Sequence, residues 1–174
     1  MFSGKTEELI RRSKRFLIAK KRVQFFKPVV DQRYSKVNIV SHAGLEVEAE
    51  AITFAEEILE LLYSDTAAVS IDEVQFFDAK VLEVVKILLD NQITVIVSGL
   101  DLDFKGDPFG QMPSLLAMAD EVVKLKAVCV VCGNEANRTQ RIVDGKPASK
   151  TDDLVLIGGS ENYEARCSSC YELS

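Results

Sequence analysis

Apolar residues recur along the first three-quarters of this chain in two alternating rhythms. Leu9, Ile10, Phe16 and Leu17 fall on one side of a helix predicted over residues 7–17. Residues 22–27 then run as a strand that Pro28 ends. A second short strand is predicted at 47–52. Helical spacing returns over 55–62, with Glu56, Glu57 and Glu60 outward. Residues 67–71 form a continuous run of small and apolar side chains, the pattern of a strand buried on both faces. Asp78 is placed to cap a helix reaching about Asp90, whose stripe is Val81, Val84, Val85 and Leu88. Another buried strand follows at 93–98, then a loop at 106–113, a short helix at 114–119 and a last core strand at 124–128.

Strands that alternate with helices in this way predict a parallel sheet with helices on both faces. Such sheets bind ligands at the carboxyl ends of their strands. Asp72, Glu73 and Asp101 all lie at such ends. Between residues 29 and 44 the rhythm fails. That stretch holds Asp31, Arg33, Tyr34, Ser41 and His42, the one histidine of the chain, and a polar segment this long is often functional. His42 reads as an ordinary loop histidine, since no nucleophile or metal set accompanies it. From Cys129 helical periodicity disappears. Short strands at 139–143 and 154–157 replace it, with turns at Asp144-Gly145 and Gly158-Gly159. The expected division is therefore a domain at 1–127 and a smaller one at 128–174.

Composition adds limits. The 174 residues are 47% hydrophobic, enough for one real core with an appendage. No apolar run is long enough to cross a membrane, and charges crowd the start from Lys5 onward, unlike a signal peptide. The net charge of −6 hides an asymmetry. Residues 1–36 carry 11 Lys/Arg against 3 Asp/Glu, whereas residues 37–128 carry 5 against 17. A basic front suggests nucleic acid. However, Arg11, Arg12, Lys14 and Arg15 share a helix with an apolar stripe and read as its solvated side, and the acidic remainder opposes a polyanion.

Three groups of residues carry chemistry. Ser3-Gly4-Lys5-Thr6 is the back half of a phosphate-binding P-loop, G-x-x-x-x-G-K-[ST]. Gly4 lets backbone N–H groups close on a polyphosphate, Lys5 brings charge to the β- and γ-phosphates, and the Thr6 hydroxyl can ligate Mg²⁺. The first glycine of the motif falls two residues before Met1. The expectation is that the natural chain is longer, with Met1 near the phosphate end of the sheet and a strand-width gap or a substitute strand behind it. Asp72-Glu73, after a buried strand, is the acid pair expected opposite such a loop, one carboxylate for Mg²⁺ and the next for a general base. Cys129-x-x-Cys132 and Cys167-x-x-Cys170 fit four-thiolate structural zinc. Redox use is the rival for a single pair, and two pairs argue against it. Their spacing favours a reducing compartment, with the cytoplasm as default.

These motifs, in order, resemble one family. The run Met-Phe-Ser-Gly-Lys-Thr-Glu-Glu-Leu is followed by Phe-Lys-Pro, Asp31-Gln-Arg-Tyr-Ser, Ile-Asp-Glu-Val-Gln-Phe-Phe and Gly-Leu-Asp-Leu-Asp-Phe. Then come Asp-Pro-Phe-Gly, Lys-Ala-Val-Cys-x-x-Cys-Gly and Gly-Gly-Ser-Glu-Asn-Tyr-x-x-x-Cys-x-x-Cys. The chain resembles thymidine kinases of the zinc-containing, P-loop type over essentially its whole length.

The resemblance implies a RecA-like α/β P-loop core plus a zinc-ribbon-like domain carrying a lasso loop. It implies transfer of the γ-phosphate of ATP to the 5′-hydroxyl of thymidine, with Glu73 as general base. Ser3, Gly4, Lys5, Thr6 and Arg33 would meet the phosphates, and Thr6 and Asp72 the Mg²⁺. Met1, Phe77, Leu100, Phe104 and Phe109 would wall the thymine. Thr139, Leu154, Leu156, Gly158 and Tyr163 would belong to the lasso that closes over the nucleoside. It also implies a homotetramer inhibited by thymidine triphosphate (dTTP). The rival expectation is a P-loop and zinc module that binds nucleotide or nucleic acid without kinase chemistry, for which Glu73 would have no use.

Overall fold

The structure is a computed structural model. It describes residues 1–29, 37–40, 46–155 and 162–174, and for 37–40 and residue 46 the backbone only. The first half is built from α1 (Lys5–Ile18), β1 (Arg22–Pro28), β2 (Val37–Val40), β3 (Glu46–Ile52), α2 (Glu57–Glu60) and β4 (Thr66–Ile71). A 3₁₀ turn (Val74–Phe76), α3 (Lys80–Asp90), β5 (Thr94–Val97) and α4 (Met112–Met118) complete the larger part.

These strands form one sheet in the order β2-β3-β1-β4-β5. β3, β1, β4 and β5 are parallel, and β2 runs antiparallel on the β3 edge. The centre is apolar on both faces, as the unbroken runs demand. Phe26 of β1 lies opposite Ile71 of β4, and both are fully buried. The α3 stripe of Val81, Val84, Val85 and Leu88 packs beneath them. Each such side chain contributes about 1.5–3 kcal/mol by leaving water. α1 covers the opposite face through Leu9 and Ile10. It is pinned there by the buried Ser13 hydroxyl, which donates to the Leu9 carbonyl (2.7 Å) and meets the Ser70 hydroxyl at 2.7 Å.

From Ala127 on, the described residues carry two smaller sheets. β6 (Ala127–Val128) pairs with β7 (Glu135–Ala136). β8 (Arg138–Val143) runs antiparallel to β9 (Lys146–Pro147) and β10 (Tyr163–Arg166). The β8–β9 hairpin turns at Asp144 and Gly145, both at positive φ (49° and 74°), as a two-residue turn matched to strand twist requires. Several contacts tie these strands to the larger part, among them two hydrogen bonds. The Met1 amine donates to Thr139 Oγ1 at 3.1 Å, and the Tyr171 hydroxyl donates to the Phe104 carbonyl at 2.5 Å.

The structure departs from expectation in four places. β2 lies inside the 29–44 stretch that showed no rhythm. α2 is one turn, because the Glu57 carboxylate takes the N–H groups of Thr53 and Phe54 and fixes a turn there instead of a longer helix. Leu154 and Val155 of the strand expected at 154–157 lie outside any strand, and the remainder of it lies outside the described residues. Of the core strand expected at 124–128, only Ala127–Val128 is extended into a ladder, and it pairs with β7. Residues 121–126 run without a strand partner, and between them and the outer edge of β5 lies an open trench of about 670 Å³. No helix among the described residues is long and apolar enough to cross a membrane.

Candidate functional site

The chemistry-bearing residues meet at the carboxyl ends of β1, β4 and β5. Gly4 stands before α1 at φ 77°, ψ 24°, a left-handed conformation that needs glycine and turns the chain into the helix. Thr6, in the first turn, donates its hydroxyl to Asp72 Oδ2 at 3.0 Å. Asp72 leaves β4 in a buried position, where its N–H donates to the Phe26 carbonyl at 2.9 Å. Its Oδ1 accepts the Ser98 hydroxyl and, at 3.0 Å, the Glu73 N–H. One Asp72 oxygen is thus held by the protein, while the other faces the loop threonine. A divalent cation between Thr6 and Asp72 would replace only one hydrogen bond.

Glu73 sits at φ 50°, ψ 40°, a strained backbone for a residue with a side chain. The turn swings its carboxylate off the end of β4. Gln75 Nε2 donates to Glu73 Oε2 at 2.5 Å, leaving Oε1 for another partner. Gln75 is the functional residue that motif reading missed. Its Oε1 accepts the Leu100 N–H at 3.1 Å, so one buried amide fixes both the acid and the chain leaving β5. A Cβ on Gly110 would stand 2.3 Å from the Gln75 carbonyl oxygen, and one on Gly99 2.6 Å from Gln75 Oε1. Gly110 therefore makes room for the backbone of Gln75 and Gly99 for its side chain. The available signal was its place two residues beyond an acid at a strand end, within a turn.

Gln75→Ala should lower the melting temperature by about 3–10 °C, because it strands the partly buried Leu100 N–H at about 1–3 kcal/mol. Gln75→Glu should also depress turnover, since its carboxylate cannot donate to Glu73. Thermal unfolding and steady-state rates of both variants check this.

Of the expected thymine walls, Met1, Leu100 and Thr139 line one cavity of about 110 Å³, together with Ser3 and Lys5. Phe109 is buried beside the Gln75 turn. Phe77 does not join this group. It packs into the sheet core with Val74, Val81 and Val84. The half-buried Phe76 takes the expected place, edge-on to Phe109 at 5.4 Å between ring centres. Adjacent residues at the end of a tight turn point apart, and the buried position went to Phe77.

Phe104 and Tyr163 flank the guanidinium of the buried Arg141, at 4.5 and 5.5 Å from their ring centres. Arg141 Nη1 donates to the Asp153 carbonyl. Leu154 is exposed, near that contact in sequence. Arg33, Leu156 and Gly158 lie outside the described residues, as do Asp31, Tyr34, Ser41 and His42. Asp101 is engaged by Lys124 at 2.9 Å. The arginines of α1 are partly neutralised, since Arg11 and Arg12 both bind Glu8, and Arg12 also binds Glu121 at 2.8 Å. These arginines hold Glu8 down at about 2.

The four cysteines come together, with all Sγ atoms within 4.8 Å of one another and Cys132 and Cys167 at 3.6 Å. Four sulfurs about 2.3 Å from a tetrahedral Zn²⁺ would stand about 3.8 Å apart, so the set fits that ion. The donor chemistry agrees. The Cys167 N–H, helped by those of Cys132 and Val131, pulls the Cys129 thiol down to about 6 against desolvation. The neighbouring Cys167 and Cys132 sulfurs push Cys170 up to about 12, a conflict that a shared cation removes.

The family model described as thymidine kinase matches residues 1–171 of the chain.

Proposed function

The chain belongs to the thymidine kinase family and is accordingly an ATP-dependent nucleoside kinase acting on thymidine; on that premise we propose how its residues divide the work. The supporting observation is the Thr6–Asp72 hydrogen bond, which joins the loop to the acid pair with Glu73 one residue beyond. The loop at Ser3, Gly4 and Lys5 takes the phosphates of ATP, with Lys5 offsetting their charge. Thr6 Oγ1 and Asp72 would hold the Mg²⁺ brought in with ATP, which would neutralise charge on the transferring phosphoryl group.

Glu73 Oε1 accepts the proton of the thymidine 5′-hydroxyl. The 5′-oxygen of thymidine then bonds to the γ-phosphorus as the bond between that phosphorus and the β–γ bridging oxygen breaks, giving thymidine monophosphate and ADP. Gln75 holds the other Glu73 oxygen, so the base points one way. Phe76 and Phe109 suit the flat base, with Met1, Leu100 and Thr139 at its rim and Phe104, Leu154, Leu156, Gly158 and Tyr163 closing over it. Arg33 approaches the phosphates. Cys129, Cys132, Cys167 and Cys170 would hold a structural zinc, because four thiolates would leave no position open for substrate or water. Two units, 1–127 and 128–174, divide substrate binding between them. The working form is a cytoplasmic homotetramer inhibited by dTTP.

Incubation with ATP, Mg²⁺ and thymidine should yield thymidine monophosphate and ADP in equal amounts. Nucleotide binding without thymidine-dependent ADP release would turn the reading toward the module without kinase chemistry. No observation favours that rival.

A further inference from the structure

The central strand β1 carries a lysine at its carboxyl end, one residue before Pro28. Side chains of a strand alternate between faces, so the direction of Lys27 follows from its neighbours. Phe26 packs with Ile71, Val81 and Val84 on the α3 face of the sheet. Phe25 packs with Ile10 of α1 and Ala49 of β3 on the opposite face. Lys27, two residues beyond Phe25, therefore lies on the α1 face, at the end where the helix begins.

The register says what stands beside it. Phe25 is level with Ser70 and Phe26 with Ile71, so Lys27 is level with Asp72, one residue past the end of β4. Ser70 and Asp72 share the α1 face as well, since Ser70 meets Ser13 and Asp72 accepts the Thr6 hydroxyl. On the β3 side the level neighbour is Ala51, whose side chain is a single methyl. Lys5 lies on the other flank, where it lines the small cavity with Gly99 and Leu100 beyond the end of β5. The two lysines bracket the Thr6–Asp72 pair, one from the β5 side and one from the β1 side.

Lys27 feels the charge of Asp72 without touching it. Its ammonium is half-buried, which lowers it from the ordinary lysine value, and the Asp72 carboxylate opposes that shift. Yet the hydrogen bonds of Asp72 among the described residues go to Thr6, Glu73 and Ser98, and none goes to Lys27. Withdrawing an ammonium from water is costly where no anion meets it. The same face of β1 is otherwise apolar, through Val23 and Phe25. A third apolar side chain would serve packing better than a lysine held short of its nearest carboxylate.

We propose that Lys27 is a further catalytic residue of the phosphoryl transfer, its ammonium binding a non-bridging oxygen of the γ-phosphoryl group on the side away from Lys5. It stays protonated throughout, so no bond or proton changes at it. Charge on the transferring group is spread over three equatorial oxygens, which Lys5 reaches from one flank only. A cation fixed on a central strand is already in place as that charge develops and needs no reorganisation. This deepens the phosphate-loop reading and rests on it.

The test uses Lys27→Met and Lys27→Gln, one apolar and one polar, so that at least one suits a half-buried position. Both should lower turnover at saturating substrates by about 10²–10³-fold, the usual worth of one donor aimed at developing charge. Affinity for ATP should fall about tenfold while affinity for ADP stays within about twofold, because ADP lacks the group that Lys27 meets. Melting temperatures should stay within about 3 °C of the parent. Parent-like turnover in either variant overturns the assignment. So do ATP and ADP affinities that fall together with the melting temperature, the result of a merely structural lysine. Lys5→Met keeps the two readings apart. If it binds ATP and ADP as the parent does, the phosphate-loop reading fails and takes the Lys27 assignment with it. If it loses both nucleotides while Lys27→Met behaves as the parent, the Lys27 assignment fails alone.

Discussion

Glu73→Gln lowers turnover by about 10²–10⁴-fold, the usual worth of a general base, and leaves the Michaelis constants for ATP and thymidine close to those of the parent. The amide keeps the volume of the side chain and an oxygen that Gln75 can still bind, so the turn at 73–76 survives. What disappears is an acceptor for the 5′-hydroxyl proton, needed only as the phosphoryl group transfers. The limb of the pH–rate profile that reports deprotonation of the base should vanish with it. Glu73→Gly separates chemistry from structure. At φ 50° a side chain costs about 1–2 kcal/mol that glycine does not. That variant should therefore lose turnover as severely while keeping its melting temperature within about 2 °C. Parent-like turnover in the glutamine variant would mean that another group takes the proton. A collapse of stability in the glycine variant would mean that the left-handed turn is not strained.

The left-handed turn at Glu73 illustrates what sequence could and could not reveal. An acid pair after a buried strand was legible because two separate regularities coincide there: the apolar run 67–71 and the carboxyl-end rule for parallel sheets. β1, β4, β5, α1 and α3 were legible for the same kind of reason, since each carries its own period. β2 was not. Its four residues, Val-Asn-Ile-Val, sit in a polar stretch, and among the described residues its one ladder partner is β3. Residues 124–128 failed in the opposite direction. They have the composition of a strand, but a strand exists only where a neighbour offers backbone groups, and the described residues provide none for 121–126. Phe76 and Phe77 are identical in composition, so only the turn geometry decides which enters the core. Gln75 was hidden because its role is made by Gly99, Leu100 and Gly110, far from it in the chain. The four-cysteine set was fully legible, since ligand chemistry and spacing are both local.

Replacing Cys167 and Cys170 together with serine should remove about one zinc per chain and unfold the smaller unit first. A four-thiolate site cannot close on two ligands, and in small zinc modules the metal supplies about 10–16 kcal/mol of apparent binding energy that is also folding energy. The cluster around it holds little else: Ala127, Ala136 and Ala165 with the cysteines themselves. The larger part keeps its own core and the Thr6–Asp72 contact, neither of which involves the cysteines. Nucleoside binding is more exposed to the loss. Thr139 is registered opposite Ala165, two residues before Cys167, and its hydroxyl receives the Met1 amine. Arg141, on the same strand, stands between Phe104 and Tyr163. Losing the anchor lets β10 and β8 part, and both groups move. The Michaelis constant for thymidine should therefore rise at least about tenfold while that for ATP changes by less, a difference of about 1.4 kcal/mol or more between the two substrates. Metal analysis of the parent and variant, with Michaelis constants for each substrate, decides the matter. A parent protein that holds no zinc when its four thiols are reduced would sink the assignment. Equal losses for thymidine and ATP would show that the zinc unit supports the whole fold rather than the nucleoside side of the site.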